Sequence, residues 1–182
     1  MKIFKYALLA IPFLYFSCSD DDDNSIPDEI NDEEVITTMN VYVDGVLAMS
    51  STDDDGPDGP NQPVVTAGVL QSFTTHEVRL EFLNELEDPA VDITVEIEEE
   101  SDDHQVFFSH TIDSDIEFVY TNFDNQDPPL PLGTTFNITT GEPGSGTITI
   151  TLIHQPDKPN TGLESAGGTQ DIQVTFDVNI AI

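Results

Sequence analysis

Apolar and polar residues alternate with a period of two through most of the chain from Val35 onward. Val35, Thr37, Met39, Val41 and Val43 alternate with Ile36, Thr38, Asn40 and Tyr42, the pattern of a strand with two unlike faces. Asp44-Gly45 follows, then Val46-Leu47-Ala48-Met49. Asp-Gly between two such runs predicts a hairpin, because a type I′ turn needs positive φ at both central residues. Pro63 to Leu70 and Thr75 to Asn84 read as further strands, the latter with His76, Val78, Leu80 and Phe82 on one face. Gln105 to Thr111 and Ile116 to Asn122 read as a pair joined across Ile112-Asp113-Ser114-Asp115. Thr134 to Thr140 leads through Gly141-Glu142-Pro143-Gly144 into Thr147 to His154, with Ile148, Ile150, Leu152 and His154 on one face. In the last run Ile172, Val174, Phe176, Val178, Ile180 and Ile182 alternate with polar residues and Ala181.

Eight or nine short β-runs separated by Gly, Pro, Asp and Asn predict an all-β, antiparallel β-sandwich of immunoglobulin-like type over residues 35–182. That length suffices for a core. Residues 92–104 fit two elements. Ile93, Val95 and Ile97 alternate as in a strand, whereas Ile93, Ile97, Ser101 and His104 share a helical face. Acids at the far end oppose a helix dipole, so the pattern allows a strand or one short helix.

The N-terminus breaks the pattern. Met1 to Lys5 is basic, and Tyr6 to Phe16 is an apolar run of eleven residues interrupted by Pro12. That is too short for a hydrocarbon core of ~30 Å and suits the apolar region of a secretory signal. The run ends at Ser17-Cys18, and Cys18 is the single cysteine. This arrangement resembles bacterial lipoproteins, which implies a signal peptide over 1–17, cleavage before Cys18 and acylation there. Two or more acyl chains would anchor the protein in a membrane without spanning it. Asp20 to Asp23 resembles the acidic export signal of Bacteroidota-type lipoproteins, implying the outer face of the outer membrane. From Ser19 to Glu34 there are nine acids and no base, so residues 18–34 are expected to form a disordered acidic tether.

Charge narrows the partners. The chain carries 36 Asp+Glu against 4 Lys+Arg, for a formal charge of −32. Loss of the leader would remove Lys2 and Lys5 and leave only Arg79 and Lys158 as cations. Such a surface repels phosphate, which disfavours nucleic acid and anionic headgroups and favours divalent cations. One cysteine excludes a disulfide framework and a multi-cysteine zinc site. The chain lacks the Gly-x-Ser-x-Gly elbow, the phosphate-binding Gly loop and His-Glu-x-x-His, so an enzyme is not expected.

Several segments resemble a group of small lipoproteins from the same kind of bacteria: Glu34-Val35-Ile36-Thr37-Thr38, Leu83-Asn84-Glu85, Ile93 to Gln105, His154 to Asn160, and Gly167-Gly168-Thr169-Gln170-Asp171-Ile172. Members of that group carry the label "type 1 periplasmic binding fold superfamily". The label implies solute capture, but it names a two-lobed fold of repeated βαβ units, which this period-two pattern excludes. The resemblance also implies association with an energy-coupled, TonB-dependent outer-membrane uptake receptor.

Metal chemistry is the sharpest candidate. Glu85 to Asp103 holds ten acids in 19 positions without a base, and His104 closes the run. One imidazole among carboxylates suits zinc or another first-row divalent ion. His154 opens a Pro-rich loop containing Asp157, so Glu100, His104, His154 and Asp157 are the expected ligands. His76 and His110, mid-strand, are assigned to packing. In Asp53-Asp54-Asp55-Gly56-Pro57-Asp58, the carboxylates of Asp53, Asp55 and Asp58 are a second candidate, for calcium. The expected function is a lipid-anchored accessory that binds a metal or small solute for uptake. The alternative is an adhesive surface module stiffened by calcium.

Overall fold

The computed structural model describes residues 34–182. The expected signal peptide, Cys18 and residues 18–33 of the expected tether lie outside the described residues. The strands are β1 (Thr38–Val43), β2 (Val46–Thr52), β3 (Val64–Val65), β4 (Gly68–Gln71), β5 (Thr75–Asn84) and β6 (Val91–Asp92). One helix, α1 (Ile93–Glu99), precedes β7 (His104–His110), β8 (Ile116–Tyr120), β9 (Thr135–Thr140), β10 (Gly144–His154) and β11 (Thr169–Ala181). They form an all-β sandwich of two sheets. The larger has the order β3-β2-β1-β5-β9-β8, with β6 added to β5, and the smaller has the order β4-β11-β10-β7. Among the described residues no helix is long and apolar enough to cross a membrane.

The alternating runs fill the space between the sheets as their period demands. Met39, Val41, Val78, Leu80, Phe82 and Phe136 of the larger sheet face Val106, Ile150, Leu152, Val174 and Phe176 of the smaller, all buried. Each such side chain contributes ~1.5–3 kcal/mol relative to exposure. The Asp44-Gly45 hairpin joins β1 to β2 with φ of 51° and 81° at its two residues. That is the positive-φ pair an Asp-Gly turn supplies.

Two expectations are corrected. Gln105–Thr111 and Ile116–Asn122 are not paired. β7 lies against β10 and β8 against β9, in different sheets. The connection crosses the sandwich because Ile112 is apolar and buries itself in the core. The run from Pro63 to Leu70 is split, since β3 pairs with β2 whereas β4 pairs in parallel with β11. Glu34, the first described residue, has a side chain that is 5% exposed.

Between Asp92 and His104 the helical reading holds for residues 93–99. Asp92 caps α1 by accepting a hydrogen bond from Thr94 N, which satisfies one free amide of the first turn. Ile93, Ile97, Ser101 and His104 are all buried, while Val95, which a strand would have buried with Ile93 and Ile97, is 52% exposed. Thr94 ties the helix to β5 by accepting from Phe82 N at 2.8 Å.

Candidate metal centre

β7 and β10 pair antiparallel with His104 directly opposite His154. Each histidine ends an inward-facing row: His104 is next to Val106, and His154 follows Ile148, Ile150 and Leu152. The rings stack with centroids 4.7 Å apart and planes 17° from parallel. Both residues are buried, at 0% and 5% exposure.

A bulge brings the third residue. The register of β10 on β11 runs Leu152 to Ile172 and then Ile153 to Gln170, so Asp171 is an extra residue on β11. In a regular strand Asp171 would point to the face opposite Ile172. The bulge breaks that alternation and re-aims the side chain, which is 1% exposed beside the two imidazoles. Glu34 is the fourth residue. It lies on the segment entering β1 of the other sheet, and its side chain is 5% exposed.

The donor atoms of Glu34, His104, His154 and Asp171 all lie within 4.8 Å of one another. His104 Nε2 stands 3.2 Å from Glu34 Oε1 and 3.9 Å from Asp171 Oδ2. His154 Nδ1 stands 3.8 Å from Glu34 Oε2 and 4.0 Å from Asp171 Oδ1. Four donors at zinc-ligand bond lengths of ~2.0–2.1 Å in a tetrahedron are about 3.3 Å apart, so the side chains would have to draw inward around an ion. Buried Glu34 Oε2, His104 Nε2 and His154 Nδ1 have no hydrogen-bond partner of good geometry among the described residues. Buried polar atoms are normally satisfied. Atoms that converge in this way form a group that could hold a metal ion.

Electrostatics favour a cation there. Burial alone would lower the pKa of His104. The Glu34 carboxylate beside it, the Glu100 carbonyl and the charges of Glu34 and Asp171 outweigh burial and hold it above 6.5. Burial pushes Glu34 up, but its contact with His104 and the neighbouring charges bring it below the usual carboxylate range. Two carboxylates, two neutral imidazoles and one divalent ion sum to zero charge, the condition under which burial is least costly. His104 Nδ1 lies 3.1 Å from the Glu100 carbonyl. That contact fixes the proton on Nδ1 and leaves the Nε2 lone pair for a metal, as outer hydrogen bonds to histidine ligands do.

Of the expected ligands, His104 and His154 are brought together. Glu100 acts through its backbone carbonyl and not its carboxylate. Asp157 is exposed and stands outside the cluster; its backbone N–H is used by Ala166 O. The loop from Asp53 to Asp58 gathers no comparable group among the described residues. There Asp55 holds the turn, accepting from Asn61 N and Nδ2. His76 is bonded at both nitrogens, to Asp44 and to Gln71 O, as a packing histidine would be. The sequence reading missed Glu34 and Asp171.

The fold and cluster define an all-β sandwich with a buried two-histidine, two-carboxylate group able to hold a metal ion. Comparison with protein-family models, curated proteins and solved structures finds no match to the chain.

Proposed function

We propose that this protein is a lipid-anchored, outer-membrane lipoprotein that captures a first-row divalent metal ion, zinc foremost, as an accessory to an uptake receptor. The observation that carries the reading is the convergence of four buried donors, three of them with atoms lacking a hydrogen-bond partner among the described residues. The donor set favours zinc over calcium, because calcium takes six to eight oxygens and little nitrogen. The calcium-stiffened adhesive module therefore ranks second. Support for the address comes from the sequence: the single Cys18 after an apolar run, then the acidic run Asp20 to Asp23. The large negative charge would concentrate cations near the surface.

A deletion strain grown under zinc limitation tests the reading. It should grow more slowly than the parent and be rescued by the full chain. Neither His104→Ala nor Cys18→Ala should rescue it, the first for want of a ligand and the second because the protein leaves the membrane fraction. Equal growth of deletion and parent strains under zinc limitation would contradict the uptake role.

A further inference from the structure

With all four donor side chains nearly sealed from solvent, an ion needs a route to them. A cavity of about 470 Å³ borders the cluster. It runs along β11 from Gln170 to Thr175, with Asp171 in its lining. β4 pairs only with Val178–Ala181 of β11, so this stretch has no strand on its second edge among the described residues. Its alternate carbonyl and amide groups therefore border the cavity instead of a ladder. The opposite wall comes from the other sheet and its loop, with Ser51, Asp53, Asn61, Gln62 and Val65. None of the lining residues is Lys, Arg or His. Asp54 and Asp58, both exposed, lie on the same loop as Asp53.

We propose that this cavity is the access passage through which a hydrated divalent cation reaches the buried centre, with Asp171 as its inner terminus. The proposal rests on reading the cluster as a metal centre. Amide, carbonyl and carboxylate oxygens along the walls replace the ion's waters before the imidazoles take it. The carboxylates of the Asp53–Asp58 loop thereby acquire a role that needs no bound calcium. They raise the local cation concentration at the mouth, which speeds association and fades with salt.

The test is stopped-flow zinc binding to the metal-free full chain in detergent, after equilibrium titration of the same samples. Val65 pairs with Ser51 on β2, so the two side chains share the face that lines the cavity. Val65 is 43% exposed, a position that tolerates a larger side chain. Val65→Trp should slow association and release together by about tenfold while leaving affinity within about twofold, because a blocked path changes both rates and not the end states. Asp53→Asn should slow association alone by a few-fold at low salt and match the parent at high salt. Thermal melts of both variants confirm that they are folded. Parent-like rates in both variants would overturn the passage while leaving the metal centre intact. Failure of the parent itself to bind zinc would instead remove the centre, and the passage with it.

Discussion

Two charged clusters are buried in this sandwich, and they are built on opposite terms. Lys158 Nζ donates to Ser101 O at 2.8 Å and to Asp124 Oδ2 at 3.2 Å. Asp124 Oδ1 accepts from Leu130 N and Gln126 N. That pair is balanced in charge and bonded on both carboxylate oxygens. The cluster of Glu34, His104, His154 and Asp171 lies close by in sequence, three residues from Ser101 and four from Lys158. It holds two carboxylates against imidazoles and leaves Glu34 Oε2, His104 Nε2 and His154 Nδ1 without a hydrogen bond among the described residues. Burial and charge alone do not separate the two. Satisfaction does: the Lys158–Asp124 pair is bonded at every charged group, whereas Glu34 Oε2, His104 Nε2 and His154 Nδ1 converge without a hydrogen bond among the described residues, in a group able to hold a metal ion.

The largest effect should come from breaking the complete cluster. Lys158→Ala leaves Asp124 buried and uncompensated, at a cost of ~3–5 kcal/mol. Denaturant unfolding of the metal-free protein measures it, and zinc affinity should stay unchanged once the protein is folded. Glu34→Gln is the reciprocal case. Zinc affinity should fall at least ~10–100-fold, the loss seen for mere outer partners of metal ligands. Metal-free stability should shift by less than the Lys158 variant, so the two substitutions exchange which property they damage.

Much of this architecture was legible in advance, and the reasons are local. The period-two rows of β5, β10 and β11 and the Asp44-Gly45 turn are properties of a few adjacent residues. His104 and His154 stood out individually, one closing an acidic run and the other ending an apolar face. Their meeting depends on the register between β7 and β10, fifty residues apart, which no local pattern carries. Asp171 was hidden because a bulge overturns the alternation by which faces are assigned. Glu34 was hidden by composition, as the last acid of a tract of nine. The β7–β8 error has a similar origin. Two strands joined by a short polar link resemble a hairpin unless the burial of Ile112 is known.

Acidity separates the clusters in direction. Burial raises Asp124, but the Leu130 N–H, Lys158 and the Gln126 N–H together bring it below the ordinary value. Its stabilisation is thus present above the unfolded value of ~3.9 and is lost as pH falls through the lower folded value. His104 is raised, so its contact with Glu34 stabilises the metal-free protein below ~6.5 and is lost as pH rises through the higher folded value. Zinc needs neutral imidazole and reverses that trend. Melts from pH 6 to 9 should show the metal-free melting temperature declining while the increment from zinc grows. A zinc increment that shrinks over this interval would contradict the histidine ligation.

The smallest effects sharpen the boundary of the centre. Asp157→Ala and Glu100→Ala should each change stability by under ~0.5 kcal/mol, as exposed substitutions do. Zinc titration should find their affinities equal to the parent's, because neither carboxylate belongs to the cage.

The central claim, that four converging side chains hold a metal ion, is met most directly by zinc-edge X-ray absorption on the zinc-loaded full chain. The account predicts one zinc per chain in a shell of two imidazole nitrogens and two carboxylate oxygens at about 2.0–2.1 Å, without sulfur. It predicts loss of the imidazole scattering in the His104→Ala, His154→Ala double variant. An all-oxygen shell, a sulfur ligand, or a spectrum unchanged by the double substitution would contradict it.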